Sequence, residues 1–250
     1  MTLANFARRV AAPVLAAASV LAAPQTFAAS MTENFDGSPA GWIAVNRSYD
    51  PNEDWSLGNP GRPRSFPAHQ GAPGSYVASS FNATFGDGSS VGDISNWLLT
   101  PAMVFNNGDQ LSFFTRTVSD FANGIGPFPD RMQVRFSVGD GTDVGSDASS
   151  VGTFTQLLHD INPGLGGDYP LDWTMYTYTF SGLSGPTEGR IGFRHFVPQG
   201  GPGSFDSDYI GVDTVQVTAV PEPSAYAMAA MGLIVLGAWS RRRKAGLDAH

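Results

Sequence analysis

The sequence contains no cysteine, and its only lysine is Lys244. Without cysteine the chain can form neither a disulfide nor a thiol nucleophile, and a cysteine-ligated metal site is excluded. No long stretch carries apolar residues at helical spacing, which argues against an α-helical core. Side-chain packing in a fold that has neither disulfides nor an α-helical core must therefore provide the stability. A bound ion is a further option.

Positive charge is also scarce in the central part of the chain. Residues 30–220 contain eight arginines, no lysine and twenty acidic residues, a net charge of about −12 compared with −8 for the whole chain. Such a surface repels phosphate backbones and lacks the counterion release that drives nucleic-acid binding. Nucleic acid is therefore excluded as a partner, whereas calcium, neutral polysaccharide and plain solubility remain compatible with the charge.

Residues 1–29 have the order of a secretory signal peptide. Arg8 and Arg9 precede an apolar run over 10–23, and small residues follow around Ala28 and Ala29. The run is too short to span a bilayer comfortably, because a spanning helix needs ~20 apolar residues. We expect cleavage after Ala28 or Ala29; the alternative is an uncleaved N-terminal anchor.

The C-terminal segment, residues 220–250, has three parts. Pro221-Glu222-Pro223 is followed by an apolar segment over 225–239 and then by the basic residues Arg241, Arg242, Arg243 and Lys244. The apolar segment predicts a short transmembrane helix of about 22 Å, less than the ~30 Å of a hydrocarbon core. The positive-inside rule keeps the basic cluster in the cytoplasm as a stop, with residues 30–220 outside.

This arrangement resembles the PEP-CTERM sorting signal of Gram-negative bacteria, in which Pro221, Glu222 and Pro223 form the named motif. The resemblance covers the last ~30 residues. It implies export by the secretion machinery, anchoring in the inner membrane through the C-terminal helix, and processing near the motif by the membrane enzyme exosortase. The chain would then lie at the cell surface or be released; the alternative is a plain single-pass anchor.

Residues 30–219 are predicted to form one all-β domain, since ~190 residues fit a single core. Met132, Val134, Phe136 and Val138 alternate with the polar residues Arg131, Gln133, Arg135 and Ser137, which predicts a strand with the first set buried and the second set outside. Further strands are predicted over 111–118, 176–180, 190–197 and 209–217. In the last one the apolar parity changes, which predicts a bulge near Asp213 and Thr214.

Strands joined by long loops predict a jelly-roll-like antiparallel β-sandwich. The segments 33–37, 41–42, 96–101, 131–137, 154–163, 173–176 and 207–213 resemble, in order, the choice-of-anchor J domain, a relative of the cleaved-adhesin and MAM-like jelly rolls. That resemblance implies a surface-exposed sandwich with no established enzymatic activity. Trp42 and Trp97 are predicted to close the ends of the core; the alternative is a platform for sugar stacking.

No residue is predicted to be catalytic. Residues 88–92 fit G-x-S-x-G, but the strand–elbow–helix context of that motif is missing. His69, His159 and His195 are widely spaced and form no metal-ligand pair. We predict His195 as a packed, hydrogen-bonded strand residue and His159 as an exposed loop residue. The acidic residues show no spacing that singles out a glycosidase pair.

No cofactor is certain, and calcium is the one we name. The resemblance to calcium-binding jelly rolls implies a site where the first and last strands meet. The acidic residues of the matching segments are Glu33, Asp36, Asp208 and Asp213. Carboxylate oxygens are ligands that calcium requires, and the alternative is that these four are solvated or turn-capping acids.

The sequence thus predicts an exported, non-enzymatic structural or binding component of the envelope or of an extracellular polysaccharide matrix. One alternative is a carbohydrate-binding or adhesive module, which would expose aromatic side chains on one face of the sandwich. Another is a polysaccharide hydrolase, which would place two close carboxylates in a cleft.

Overall fold

The computed structural model describes residues 30–63, 65–119, 128–220 and 231–236. The predicted signal peptide, the Pro221-Glu222-Pro223 motif and the basic cluster lie outside these ranges. The strands of the described chain are β1 (Met31–Glu33), β2 (Ile43–Asn46), β3 (Ser56–Leu57), β4 (Val77–Ser80), β5 (Gly92–Leu99), β6 (Met103–Phe105), β7 (Gln110–Arg116), β8 (Met132–Val138), β9 (Gln156–Ile161), β10 (Thr174–Thr179), β11 (Thr187–Gly200) and β12 (Tyr209–Thr218).

Helix is almost absent from the described ranges. It is confined to the 3₁₀ turn Phe81–Ala83 and to residues 231–236, which are exposed. The latter fall inside the apolar segment 225–239, whose other residues are not described. Among the described residues, no helix has the length and apolar character needed to cross a membrane.

The strands form two six-stranded antiparallel sheets packed face to face. One sheet, the A sheet, has the order β10-β7-β12-β4-β3, and the other, the B sheet, has the order β2-β5-β11-β8-β9. In the A sheet β4 pairs with the first half of β12 and β1 with its last residues. In the B sheet β6 pairs with the first residues of β11. The predicted all-β sandwich is confirmed.

The predicted bulge in the last strand is also confirmed. The pairing of β12 with β7 shifts its register between Asp213 and Gln216, and Thr214 has a φ of 49°. The extra residue lets Ile210 and Val212 before the bulge, and Val215 and Val217 after it, all reach the core at 1% exposure or less.

The alternation in β8 is confirmed for one face and wrong for the other. Met132, Val134 and Phe136 are buried in the core, but Gln133 and Ser137 are buried as well, while Val138 at the strand end is 68% exposed. The reason is a long segment, residues 139–155, that folds back over the outer face of the B sheet. Four residues of a second apolar cluster pack there: Trp97, Leu99, Val144 and Phe154.

The two predicted structural tryptophans both pack against other apolar side chains, but in different clusters. Trp97 is fully buried, and Trp42 packs against Phe35 and Phe193 with ring centroids 5.2 and 6.3 Å away. Trp42 therefore packs against the core between the sheets as predicted, whereas Trp97 is buried in the second cluster, under the covering segment on the outer face of the B sheet. Trp97 has no exposed face for stacking on a sugar, whereas Trp42 is partly buried and lines an open pocket with Trp55 and Leu57.

The strand directions define two ends of the sandwich. Gly200 at the end of β11 pairs with Gly92 of β5, and we call this the far end. Thr187 at the start of β11 pairs with Phe105 of β6, and Thr218 of β12 pairs with Gln110 on the same side; we call this the C-terminal end. Fourteen residues of β11 join the two ends, a distance of roughly 40 Å at ~3.3 Å per residue.

Candidate functional site

An open groove of about 510 Å³ lies at the far end of the sandwich. It is lined by residues 46–49 after β2, by Pro51, by Asp93 of β5 and by residues 146–149 of the segment that covers the B sheet. We call it the far groove. Its volume falls within the ~300–1,000 Å³ of small-molecule sites in proteins.

Tyr49 is the exposed aromatic residue of the far groove, with 75% of its surface accessible. Its backbone amide donates to the carbonyl of Asp93 at 2.9 Å. The next residue, Asp50, accepts a 2.9 Å hydrogen bond from the amide of Phe85. The rings of Tyr49 and Phe85 lie 5.8 Å apart. The tyrosine is therefore exposed but held on a fixed backbone.

Charged side chains of both signs line the same groove. Arg47 donates from Nε to the carbonyl of Gly145 at 2.9 Å, which fixes its guanidinium beside the covering segment. Asp93 accepts from the amide of Gln199 through Oδ1 at 2.8 Å. Hydrogen bonds among the described residues leave Arg47 Nη2, Asp93 Oδ2 and the Tyr49 hydroxyl free.

Asp147 is the second carboxylate of the far groove, and it caps its own turn. Its Oδ1 accepts from the amides of Ser149 and Ser150 at 2.9 and 3.0 Å and from the Ser149 hydroxyl at 2.6 Å. Hydrogen bonds from the serine side chains contribute most, and those from the backbone amides contribute next. Together they lower the pKa of Asp147 to about 2. A general acid for glycoside hydrolysis needs a raised pKa, so Asp147 is unsuited to that role.

A buried arginine holds the covering segment in place beside the groove. Arg194 of β11 is 1% exposed and forms no ion pair with a described residue. It donates to Ser95 Oγ at 2.9 Å, to Gln133 Oε1 at 3.1 Å, and to the carbonyl of Ala148. Burial lowers its pKa to about 9, so the guanidinium stays charged at neutral pH. It stabilises residue 148 at the wall of the far groove.

A Ser–His–Asp arrangement lies between the sheets. Ser79 Oγ accepts from Asn96 Nδ2 at 3.0 Å and faces His195 Nδ1 at 2.9 Å. His195 Nε2 faces Asp130 Oδ1 at 3.1 Å. Ser79 is 2% exposed and the other two are fully buried, so no substrate can reach the hydroxyl. The predicted packed, hydrogen-bonded role of His195 is confirmed, and the arrangement ties β4 to β11.

The prediction for His159 is wrong. It was expected in an exposed loop, but it lies in β9, is half-buried, and contacts the carbonyl of Thr177 through Nε2 at 2.8 Å. Because β9 and β10 are the edge strands of the two sheets on one side, this contact closes that side of the sandwich.

The four predicted calcium ligands do not all come together. Glu33 lies opposite Val215 where β1 pairs with β12, and Asp36 lies close to Gly71. Asp208 lies at the start of β12, toward the far end, where its amide donates to Asp130. Within the described ranges, no group of three or more histidine and acidic side chains is placed to hold a metal ion.

The carboxylate of Asp213 accepts hydrogen bonds from neighbouring groups of the protein. Its Oδ2 accepts from the amides of His69 and Gln70 at 2.8 and 3.2 Å, and its Oδ1 accepts from the amide and hydroxyl of Thr214 at 2.5 and 3.3 Å. Burial raises the pKa of this carboxyl, and the same donors oppose the shift. Four donors use the roughly four lone-pair sites of a carboxylate. The calcium site stays a prediction that would require some of these bonds to be released.

The residues of the far groove were missed by the sequence analysis. Residues 46–51 read as Asn-Arg-Ser-Tyr-Asp-Pro, and the signal that could have singled them out is one aromatic residue inside a polar turn. Nothing in the sequence could pair that turn with Asp93 or with residues 146–149, because they meet only through the fold.

Comparison with known proteins bears on both the tail and the sandwich. Residues 219–244 match the family described as the PEP-CTERM protein-sorting motif, which confirms the predicted sorting signal and marks the chain as exported. No curated protein matches the sequence significantly.

Solved structures resemble the sandwich. It is similar to the K1 cleaved adhesin domain of Lys-gingipain from Porphyromonas gingivalis, with 26% identity and a TM-score of 0.50, covering 77% of this chain and 99% of that one. Similarity to the K3 domain of the same protein is weaker, at 22% identity and a TM-score of 0.49, covering 75% and 97%. A family 11 carbohydrate-binding module from Clostridium thermocellum is more distant, at 10% and 0.38, covering 79% and 99%. The K1 likeness supports the predicted jelly-roll-like fold.

Proposed function

We propose that this chain is a non-catalytic binding or adhesive domain, displayed at the cell surface or within an extracellular polysaccharide matrix after exosortase processing. The observation that carries the proposal is that the far groove and Val220, the residue before the sorting motif, lie at opposite ends of the sandwich. The K1 relative is a cleaved adhesin domain, and we extend an adhesive role to this chain on that likeness.

The last residue before the sorting motif, Val220, is bonded to the sandwich. Strand β12 ends at Thr218, and the Pro221-Glu222-Pro223 motif begins three residues later. The amide of Val220 donates to Oδ1 of the buried Asp109 at 3.0 Å. With so little free chain between domain and motif, the C-terminal end faces the membrane or the attachment site. The far groove then faces outward, roughly 40 Å away.

The chain also fits a finer family and domain assignment, which we propose. Its domains are a signal peptide over 1–29, a choice-of-anchor J-like sandwich over 30–219, and a sorting and anchor segment over 220–250. The pairing of the first strand, β1, with the last strand, β12, supports the limits of the sandwich. Strand β12 ends at Thr218, one residue before the proposed limit of the sandwich.

Two observations support a non-catalytic role. The Ser79–His195–Asp130 arrangement is sealed in the core, and Asp147 in the far groove has a lowered pKa. The first group therefore lacks the exposure that a nucleophile needs, and Asp147 lacks the raised pKa of a general acid for polysaccharide hydrolysis.

Intact mass spectrometry of the protein from its own host tests the proposed fate. We expect a mature chain that begins near Ala29 or Ser30 and ends near Pro221–Pro223, because the sequence predicts cleavage at the small-residue region and near the proline motif. Replacing all three motif residues with alanine should leave a longer, membrane-associated chain. A mature wild-type chain that still carries Arg241–Lys244, in a host with exosortase, would refute the processing step.

Calcium binding by Glu33, Asp36 and Asp213 remains a separate proposal. All three lie in or near the β1–β12 pairing and the 69–71 turn. An ion that binds only the folded state adds about 2.7 kcal/mol of stability at ~100 times its dissociation constant. We therefore expect a chelator to lower the melting midpoint. An unchanged midpoint, in a sample shown by elemental analysis to be metal-free, would leave these three as ordinary acids.

A further inference from the structure

We propose that the far groove binds a neutral polysaccharide chain, with the ring of Tyr49 as the stacking platform and Arg47 and Asp93 as the hydrogen-bonding groups on the sugar hydroxyls. This inference rests on the proposed role as a displayed binding domain, and it names the class of ligand.

Tyr49 presents an exposed aromatic ring on a fixed backbone. A tyrosine with 75% of its surface in water loses apolar stabilisation unless a ligand covers it. The backbone of Tyr49 is nevertheless fixed by Asp93 and by the Asp50–Phe85 hydrogen bond. Binding to a ring that is already positioned costs little conformational entropy. An apolar ring face suits the C–H face of a pyranose.

Gly92 shows how closely this platform is packed. A Cβ at position 92 would lie 2.7 Å from the ring of Phe85 and 3.2 Å from the Cβ of Tyr49. Glycine is thus needed for β5 to pass under both aromatic residues. The exposed tyrosine is supported from below by the B sheet, unlike a ring on a free loop.

Hydrogen bonds among the described residues leave three polar atoms of the far groove free. Arg47 Nη2 is a donor, Asp93 Oδ2 is an acceptor, and the Tyr49 hydroxyl is both, and all three residues line the same groove. Neighbouring hydroxyls of a sugar can donate to a carboxylate and accept from a guanidinium at the same time. Both charged residues are already held by other bonds, Arg47 to Gly145 and Asp93 to Gln199.

The charge of the far groove favours a neutral ligand. The far groove has one guanidinium and two carboxylates, and residues 30–220 carry a net charge of about −12. The two carboxylates of the groove and the net negative charge of the domain would repel a polyanion such as a uronic-acid chain. The groove is open, so a chain can continue beyond it.

Affinity electrophoresis of the mature protein from its host tests this inference. The probes are soluble neutral polysaccharides, namely a β-glucan, a mannan and a galactan, with alginate as the anionic comparison. We expect retardation by at least one neutral chain and none by alginate. Tyr49→Ala should weaken the binding at least tenfold, while Tyr49→Phe should keep most of it because the ring remains.

Phe205 provides the matched control. It is 77% exposed and does not line the far groove, so Phe205→Ala should bind as the wild type does. Equal melting midpoints of the variants would show that the fold is intact. Absence of binding to every neutral probe, preference for alginate, or equal loss in Phe205→Ala and Tyr49→Ala would overturn the inference. If the protein gives such a result but is correctly processed and located at the cell surface, the ligand inference fails while the proposed display at the surface still holds.

Discussion

Asp130→Ala should lower the free energy of unfolding by about 4 kcal/mol, because one buried carboxylate joins several parts of the sandwich. Asp130 is fully buried. Its Oδ2 accepts from the Thr117 hydroxyl at 2.7 Å, and its Oδ1 accepts from the amide of Asp208 at 2.9 Å and from His195. Alanine would leave the amide of Asp208 and His195 without this acceptor away from water, while the Thr117 hydroxyl keeps only the carbonyl of Tyr209 at 3.3 Å. The melting midpoint should fall by about 10 °C.

Two variants make this test specific. Asp130→Asn keeps one oxygen for Asp208 and His195, and its amide can donate to Thr117, so we expect a loss of only about 1 kcal/mol. Asp172 is 93% exposed in its side chain and meets Arg116 at 3.7 Å, so Asp172→Ala should change the unfolding free energy very little. A loss below about 1 kcal/mol for Asp130→Ala would show that water reaches this site.

The two-sheet architecture could be predicted because strand periodicity is a local property. Residues 176–180 alternate aromatic and polar residues, and β10 places Tyr176 and Tyr178 half-buried with Thr177 and Thr179 exposed. The bulge in β12 could be predicted for the same reason, since the change of parity at Asp213 is visible in the sequence. The sorting signal was recognised from its order of parts, and the match over 219–244 confirms it.

The candidate site could not be predicted, because it depends on contacts between distant segments. Arg47 meets Gly145 across 98 positions of sequence, and His195 meets Ser79 across 116. No periodicity or spacing encodes such pairs. The covering segment 139–155 contains Gly, Ser and Asp, which predict a solvated loop. Val144 and Phe154 nevertheless anchor it on Trp97 and Leu99, which buries a face that alternation had predicted to be outside.

Phe136→Asp or Val134→Asp should prevent folding altogether. Phe136 is 1% exposed, and its ring packs against those of Phe105 and Phe180 at 5.1 and 5.2 Å. Loss of the ring costs about 3–5 kcal/mol, and an unpaired buried carboxylate adds several more. The total matches the ~5–15 kcal/mol that stabilises a whole domain. Circular dichroism and solubility of the variants would show the loss, and a folded Phe136→Asp protein would contradict the assignment of β8.

The neighbouring residues on the outer face give the sharper comparison. Gln133 is 4% exposed, and its Oε1 accepts from Arg194 at 3.1 Å and from Arg135 at 3.0 Å. Gln133→Ser leaves the buried Arg194 short of an acceptor, so we expect a loss of about 2–3 kcal/mol. Arg135 is half-buried beside the covering segment 139–155. Arg135→Ser should therefore lower the free energy of unfolding by about 1 kcal/mol or less. Strand alternation alone predicts equal tolerance at the two positions. A clear difference in their unfolding free energies would therefore measure what the covering segment 139–155 contributes, and equal values would mean that it does not cover this face in solution.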